Sequence, residues 1–275
     1  MFVNIRYLVI TLISVFIALG IGILIGFQLD SNDIILQQQQ ELITSLEATF
    51  DDLTQTNQAL EAEVKSLQQS MEQDRVFMET IATDYLEHQL LGQNIVIIET
   101  SASSSSTQLK RTLQAAGANV NASIVITDKV LLGNQDQGGS NPELPLAPLV
   151  ANAVAYGETD GLNYLRQQGL VEISGIFDTP PDFVIIAGGN NTATDKPELV
   201  DVPLIRELKK RALPIVGVES SQVEYSYMDH YKKERISTVD NVDTIIGRTS
   251  LVLVMTGKEG NYGVKASANT LLPLK

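Results

Sequence analysis

Residues 94–100, with the sequence NIVIIET, form a short apolar run that is rich in β-branched side chains. A serine-rich segment, an amphipathic stretch at 108–116 and a second β-branched run at 120–127 follow it. A strand, a helix and a second strand in this order predict a βαβ unit with parallel strands. The C-terminal part of the chain is therefore predicted to be an α/β domain.

The same alternation of strands and helices continues toward the C-terminus. The further predicted elements are two strands and four helices: 183–187, 214–219, 146–156, 161–168, 202–213 and 242–256. Strands that read as continuous Val and Ile runs are typical of a parallel sheet with both faces covered. For residues 93–275 we predict a mostly parallel, Rossmann-like sheet flanked by helices.

In doubly wound sheets, ligands bind at the carboxyl ends of the strands. Three polar or glycine-rich segments lie at such ends: 99–106, 188–191 and 219–221. Gly188, Gly189 and Asn190 are therefore candidates for a ligand or contact loop. The alternative, which we favour for the two glycines, is a tight turn after the strand.

Two aspartates at the start of the last predicted helix, Asp240 and Asp243, are further candidates for a contact loop. We favour helix capping, by Asp240 or the adjacent Asn241, because such side chains often accept backbone hydrogen bonds at helix starts. The motifs of P-loops, serine hydrolases and zinc proteases are absent from the α/β segment of the sequence. We predict no catalytic residue and no enzyme; an extracytoplasmic enzyme that uses Glu99, Glu219 or Asp243 is the least favoured alternative.

Residues 224–235 combine tyrosines with basic side chains, and we predict a surface loop there that offers a contact surface. Met228 and His230 in this segment are candidate ligands for a soft metal ion. Two ligands without a third nearby give little support for a metal site. The surface-loop interpretation is therefore favoured.

Residues 31–92 carry a heptad pattern of apolar side chains and predict a coiled-coil stalk. The register holds for 53 residues from Leu36 to His88, which as a helix span ~80 Å and imply a left-handed supercoil with a partner helix. The predicted contacts in its central part are Phe50, Leu53, Asn57, Leu60, Val64, Leu67 and Met71.

The simplest partner of the stalk is a second, parallel copy, because both chains start in the same membrane with the same orientation. Asn57 occupies an a position, where asparagine pairs across two-stranded parallel coils and fixes their register. In the alternative arrangement the stalk folds back on its own α/β domain. Met71 and Met78 share a face and have thioethers that suit Cu(I), but their a positions favour core packing.

Residues 8–28 include a run of twenty without a formal charge, which as a helix matches the ~30 Å hydrocarbon thickness of a bilayer. No A-x-A site follows, so we predict an uncleaved, single-pass signal anchor in the cytoplasmic membrane. Arg6 precedes the run, while Asp30 and Asp33 follow it, which places residues 1–7 in the cytoplasm and the bulk outside. Small residues line one face and are predicted to let two such helices pack closely: Ala18, Gly22 and Gly26.

The chain has a net charge of −14, and residues 31–92 hold twelve acidic residues against Lys65 and Arg75. This acidity disfavours nucleic-acid binding and adsorption along an anionic membrane. The chain has no cysteine, which excludes disulfides and thiolate metal sites.

Several stretches together resemble the MctB family of copper-transport proteins. The resemblance includes NIRY at 4–7, GILIG at 22–26, VIIAGG at 184–189, VDNVDT at 239–244 followed by Gly247 and Arg248, and GNYG at 260–263. It implies copper export or homeostasis in the cell envelope, and some members are described as outer-membrane channels. Copper enters as a candidate cofactor through this resemblance alone.

The anchor, the stalk and the α/β domain together predict a membrane-anchored cell-envelope protein related to copper homeostasis. We expect it to act by assembly, as a parallel homodimer with envelope protein partners, rather than as a channel. The alternative is a dimeric structural spacer or interaction scaffold for another envelope component.

Overall fold

The computed structural model describes residues 5–101, 106–132 and 145–273. Residues 102–105 of the candidate segment 99–106 therefore lie outside the described residues. The chain divides into two compact units, Met1–Asp74 and Arg75–Lys275. We call the second unit the head.

The head contains a sheet with helices on both of its faces. The helices of the described residues are α1 (Ile5–Leu86), α2 (Ser106–Ala115), α3 (Lys129–Leu132), α4 (Leu146–Tyr156), α5 (Thr159–Gln167), α6 (Val202–Lys210), α7 (Met228–Lys233) and α8 (Ile245–Met255), with a π-helical turn (Pro197–Asp201) before α6. The strands are β1 (Asn94–Glu99), β2 (Asn119–Ile126), β3 (Val171–Gly175), β4 (Phe183–Ala187), β5 (Ile215–Val218), β6 (Ser237–Val239) and β7 (Asn261–Tyr262). The predicted α/β fold class is confirmed.

The strands of the sheet have the order β3-β2-β1-β4-β5-β6-β7. All neighbouring pairs are parallel except β2 with β3. β1 pairs with β2 on one side and β4 on the other, so the chain moves outward from β1 in both directions. The carboxyl ends of β1 and β4 form the topological switch point, where sheets of this type bind ligands.

Apolar side chains cover both faces of the sheet, because alternate residues of β1 point to opposite sides. Ile95 and Ile97 belong to one apolar cluster, together with residues of α2, α8 and the end of α1. Val96 and Ile98 belong to the other, together with residues of α4, α5, α6 and α7. All four side chains are at most 3% exposed, as expected for a parallel sheet between two layers of helices.

Some short elements of the head have no counterpart among the predicted ones. β3, β6 and β7 have 5, 3 and 2 residues and lack the continuous apolar run from which β4 and β5 were predicted. The prediction of a surface loop at 224–235 is wrong. α7 forms there, and Tyr227, Met228 and Tyr231 lie in one of the two apolar clusters, each at most 1% exposed.

The last helix, α8, begins later than predicted. Thr244 is its N-cap, and its side-chain oxygen accepts a hydrogen bond from the backbone N–H of Gly247 at 3.1 Å. The prediction that Asp240 or Asn241 caps this helix is therefore wrong. The Asp240 carboxylate instead accepts hydrogen bonds from backbone N–H groups that follow β7.

The last turns of α1 belong to the head and have two distinct faces. On one face, Ala82 is half-buried and Leu86 is 1% exposed. Leu86 belongs to the same apolar cluster as Ile95. The other face carries a and d positions of the heptad pattern, which remain 44–56% exposed: Met78, Ile81 and Tyr85. At this end of α1 the head therefore covers a different face from the heptad stripe.

We expect Leu86→Ala to destabilise the head by about 2–5 kcal/mol, because the substitution leaves a cavity in a closely packed apolar cluster. Thr80→Ala, on an exposed position of the same helix, should change the free energy of unfolding by less than about 0.5 kcal/mol. Urea unfolding of the detergent-solubilised chain, followed by near-ultraviolet circular dichroism, measures both. Equal effects of the two variants would show that α1 does not belong to the core of the head.

Candidate functional site

Four polar side chains from distant parts of the chain lie together at the topological switch point: Thr100, Lys196, Asp201 and Tyr231. Thr100 follows β1, Lys196 precedes the π-helical turn, Asp201 ends it, and Tyr231 lies on α7. Each is at most 1% exposed. We call these four residues the switch-point cluster.

Asp201 is the centre of the switch-point cluster. Thr100 Oγ1 donates a hydrogen bond to Asp201 Oδ2 at 2.9 Å, and the Tyr231 hydroxyl donates to the same oxygen. Asp201 Oδ1 has no hydrogen-bond partner among the described residues. Burial raises the pKa of Asp201 from 3.8 to about 7, although the two hydrogen bonds and the charge of Lys196 oppose this increase. The carboxyl group therefore changes its protonation state near neutral pH.

Tyr231 remains a hydrogen-bond donor over the whole physiological range. Burial, followed by the negative charge of Asp201 and the hydrogen bond to it, raises the pKa of Tyr231 well above 10. The neighbouring Tyr227, on the preceding turn, packs edge-to-face against it with ring centroids 6.5 Å apart. Tyr227, Tyr231 and the buried Asp201 thus lie together beside the end of β4.

Lys196 connects the switch-point cluster to the end of β2. Its ammonium group donates to the carbonyl oxygen of Ile126 at 2.9 Å and to Asp128 Oδ1 at 2.8 Å. The Asp128 side chain is 78% exposed, so this ion pair joins a buried cation to the surface. The π-helical turn that separates Lys196 from Asp201 is a rare geometry that occurs frequently at functional sites.

The predicted loop residues Gly188, Gly189 and Asn190 lie directly beside the switch-point cluster. A Cβ atom at Gly188 would collide with the Tyr231 hydroxyl. Gly189 has a φ of +84°, and a Cβ atom there would lie 3.0 Å from Glu219 Oε2. Asn190 forms a backbone bridge to the segment before α7. The structure explains the two glycines by lack of space and by backbone conformation, and their contact with a ligand stays a prediction.

A second buried acid, Glu219, follows β5. Its Oε1 accepts hydrogen bonds from Lys265 Nζ at 2.8 Å and Ser226 Oγ at 2.6 Å, and its Oε2 accepts one from the backbone N–H of Tyr227 at 2.9 Å. Burial raises the pKa of Glu219, and the hydrogen bond from Lys265 opposes this increase. The Glu219 side chain is 0% exposed. This ion pair therefore holds the loop after β7 against the end of β5.

Asp240 and Asp243 hold two further loops at the same edge of the sheet. The Asp240 carboxylate accepts hydrogen bonds at 2.7 and 3.0 Å from the N–H groups of the two residues that follow Gly263. A Cβ atom at Gly263, which has a φ of +139°, would collide with this carboxylate. The Asp243 carboxylate accepts hydrogen bonds from the N–H and the hydroxyl of Ser221 at 2.6 and 2.7 Å. Both aspartates are engaged within the head, and a ligand contact of either stays a prediction.

Arg248, near the start of α8, joins the aspartate loops to the end of α1. Its Nη1 donates to the backbone carbonyl of Asp243 at 2.9 Å and to Gln108 Oε1 at 3.3 Å, and its Nη2 lies 3.9 Å from Glu79 Oε1. Burial lowers the pKa of Arg248, and the charges of Glu79 and Asp243 oppose this decrease. The guanidinium group of Arg248, on α8, thus contacts side chains of both α1 and α2.

Sequence reasoning found the ends of β4 and β5 but missed Lys196, Asp201 and Tyr231. No short motif contains these residues, and Thr100 and Asp201 are 101 positions apart. Their proximity depends on the strand order, which the sequence pattern does not specify. The basic residues around Tyr231 in the sequence favour a surface loop, although the Tyr231 side chain is 0% exposed.

The described residues do not fit a copper site. Cu(I) prefers thiolate, thioether and imidazole ligands, and the chain has no cysteine, two histidines and five methionines. Met228 is 0% exposed in an apolar cluster, and His230 on the same short helix is half-buried. Within the described ranges no group of three or more His, Cys, Asp or Glu residues could hold a metal ion. A metal role for Met228 and His230 therefore rests on the sequence alone.

The heptad stripe of α1 is the other candidate functional surface. Its central apolar side chains are 51–70% exposed: Phe50, Leu53, Leu60, Val64, Leu67 and Met71. Asn57, at the a position between them, is also exposed. Large exposed apolar surfaces are typical of interaction sites, so the contact role of this stripe stays a prediction. Toward the N-terminus, Ile5–Phe27 is long and apolar enough to cross a membrane, and a Cβ atom at Gly22 or Gly26 would meet open space.

Comparison with known families gives one match that extends over almost the entire chain. A family model described as "Copper transport outer membrane protein, MctB" matches residues 2–141 and 134–273. The matched segments include the apolar N-terminal part of α1, the heptad stripe and the head. A search of curated proteins gave no match.

We expect the stability of the head to decrease as the pH rises from 3.8, the ordinary pKa of an aspartate, to about 7, the raised pKa of Asp201. The raised pKa of Asp201 means that the folded state keeps a proton that the unfolded chain loses near pH 3.8. The stabilisation is complete below that pH and is lost as the pH rises through about 7, at up to roughly 1.4 kcal/mol per pH unit.

The Asp201→Asn variant should lack this part of the pH dependence, whereas Asp160→Asn, at an exposed position of α5, should keep it. Urea unfolding of the detergent-solubilised chain at pH 5.5 and pH 8.0 measures the difference. An identical pH dependence in the wild-type chain and Asp201→Asn would contradict a proton on the folded-state carboxyl group.

Proposed function

This chain belongs to the MctB family of copper transport proteins, and on that premise we propose that it is a single-pass, membrane-anchored cell-envelope protein. In this proposal two copies assemble through α1 as a parallel homodimer. The dimer contributes to copper homeostasis by assembly with envelope protein partners, rather than as a channel or as an enzyme.

The observation that carries the proposal is the exposure of the heptad stripe. Six apolar side chains between Phe50 and Met71 are at least half exposed. Burial of one such side chain at a helix–helix seam contributes about 1.5–3 kcal/mol, and the period of the stripe matches a two-stranded seam. A second copy has the same stripe in the same direction, so it satisfies this surface without any further component.

The distribution of charge around the stripe supports a parallel pair. In a parallel dimer, each g position faces the e position five residues later on the partner helix. At the three g positions of this stretch, Thr56 faces a glutamate, Glu63 faces a glutamine and Ser70 faces an arginine of the partner helix. No two acidic side chains therefore face each other here. Asp51 and Asp52 occupy outer b and c positions, whereas Asp74 occupies a d position and weakens the seam at that level. Between Phe50 and Met71 the charge of the stalk is therefore compatible with self-association.

The N-terminal part of α1 supports the anchor. Ile5–Phe27 is the one helix within the described residues with the length and composition to cross a membrane. Arg6 favours a cytoplasmic N-terminus and an extracytoplasmic head. When the heptad register is extended toward the N-terminus, Ala18, Gly22 and Gly26 fall at positions d, a and e. The close-packing face of the anchor thus continues the seam of the stalk, and we propose the cytoplasmic membrane as its location.

A structural spacer or interaction scaffold is the second candidate function. It is favoured by the carboxyl edge of the sheet, where Glu219, Asp240 and Asp243 each accept hydrogen bonds from within the head. Because these hydrogen bonds fix the loops at this edge, the edge is suited to be a rigid surface that another envelope component recognises. The spacer or scaffold requires the same dimer as the first candidate function. It differs from the first candidate because it also requires the full length of the stalk.

We expect Ile43→Cys and Val64→Cys, each in the chain that naturally has no cysteine, to form disulfide-linked dimers in isolated membranes under mild oxidation. Both residues occupy a positions, whose side chains face each other across a parallel seam within disulfide distance. Gln69→Cys, at an outer f position, is the control and should remain monomeric. Non-reducing electrophoresis measures the fractions.

An antiparallel pair brings equivalent residues together at only one level of the coil. Efficient cross-linking at both positions 43 and 64 therefore selects the parallel arrangement. Cross-linking at one of the two positions, or equal cross-linking at position 69, would contradict the proposed seam.

The two candidate functions are separated by two changes in α1. Deletion of residues 51–64 removes two heptads and keeps the register, whereas Leu60→Glu with Leu67→Glu breaks the seam. We expect cells that lack the native gene to regain normal growth on copper with the deleted chain but not with the double variant. Growth at increasing copper concentration and cross-linking at position 43 are the measurements.

Failure of the deleted chain to restore growth, with the dimer intact, would instead select the spacer. Full copper tolerance with a monomeric Leu60→Glu, Leu67→Glu chain would contradict both candidates.

A further inference from the structure

A groove of about 610 Å³ lies at the amino ends of β4, β5 and β6, at the edge of the sheet opposite the switch-point cluster. Its size is within the range of small-molecule sites. Its inner surface includes Ile215, Ile236, Val254 and Met255, which are at most 8% exposed. Phe183 and Leu213, which also line the groove, are half-buried and add accessible apolar surface to this apolar floor.

The rim of this groove is positively charged, although the chain as a whole carries −14. Lys209, Lys232 and Arg235 line it, against one acidic residue, Glu259. The helices α6, α7 and α8 all end at this rim, and their last carbonyl groups contribute negative partial charge. A cation at this rim can therefore interact either with these carbonyl groups or with a bound anion.

Two of the three cations already compensate backbone carbonyls. Lys209 Nζ donates to the carbonyl oxygen of Glu234 at 2.7 Å, directly after α7. Lys232 Nζ donates to the carbonyl oxygen of Ser267 at 3.0 Å. These two lysines therefore have structural partners, and they leave Arg235 as the cation to be explained.

Arg235 has an exposed guanidinium group without a hydrogen bond or ion pair to any residue that the structure describes. Its backbone has a φ of +56°, at the position after the C-cap of α7, where glycine is the preferred residue. Ala212 occupies the equivalent position after α6 with a φ of +57°. Arg235 is therefore the rim cation that is free to pair with a bound anion.

We propose that this groove binds a small anionic amphiphile, whose carboxylate or phosphate group pairs with Arg235 and whose hydrocarbon or aromatic part lies on the apolar floor. Guanidinium groups match the geometry of both anions through paired N–H donors. The site is independent of the dimer seam and of copper.

The test uses the full-length chain in nanodiscs of zwitterionic lipid, with octyl phosphate as the probe and isothermal titration calorimetry as the measurement. Protein-free nanodiscs provide the correction for partition into lipid. We expect saturable binding of octyl phosphate and at least tenfold weaker binding of octyl glucoside, which has a similar chain and no charge.

Arg235→Gly removes the guanidinium group and relieves the left-handed backbone, so it should weaken octyl phosphate binding at least tenfold without lowering the unfolding midpoint. Ala212→Gly makes the same backbone change one helix away and should bind like the wild-type chain. Unchanged affinity in Arg235→Gly, equal binding of octyl glucoside, or no saturable binding would each overturn the proposal. Because unfolding is measured in parallel, loss of the fold is distinguished from loss of the site.

Discussion

The need to cover both faces of the parallel sheet is the constraint on which the head depends. Ile95 and Ile97 point to one side of β1, and Val96 and Ile98 point to the other, so neither face tolerates water. α4, α5, α6 and α7 cover one side. The other side is completed by the last turn of the long N-terminal helix. The helix that leads to the membrane anchor is thus also part of the core of the domain that it carries.

This shared use of α1 explains how one helix serves two surfaces. Leu86 faces the core, while Ile81 and Tyr85 lie on the exposed heptad face. The two faces are separate because the heptad positions and the positions that pack against the head lie on different sides of α1. A partner at the heptad face therefore does not compete with the head for the same side chains. The proposed dimer and the folded head therefore use different side chains of α1.

The sequence was informative where a physical signal is local and long enough to be periodic. β1 and β4 were predicted from their β-branched runs, and α4 with the bounds that the structure has. α7 was missed because six residues hold too few turns to show an amphipathic face. The cap of α8 was assigned to the wrong residue because several polar side chains precede that helix. Thr244 performs this role, and Asp240 is occupied elsewhere.

The candidate site was harder to predict because its members are brought together by topology. Asp201 and Tyr231 contact each other across 30 positions, and Thr100 reaches the same carboxyl group from β1. A buried acid is costly unless it is hydrogen-bonded or neutral. Here the hydrogen bonds come from Thr100 and Tyr231, which belong to no recognisable motif, and burial raises the pKa of the carboxyl group to about 7. In contrast, the family resemblance was densest around Asp240 and Arg248, where hydrogen bonds hold loops in place.

The contact between Asp240 and Gly263 limits how these two positions can evolve. A side chain at position 263 would occupy the space of the Asp240 carboxylate. The backbone N–H groups that follow position 263 would at the same time lose their acceptor. Neither residue can therefore be exchanged alone without disturbing the loop after β7. Across relatives of this chain the two positions should covary, so that a departure from glycine accompanies a departure from aspartate.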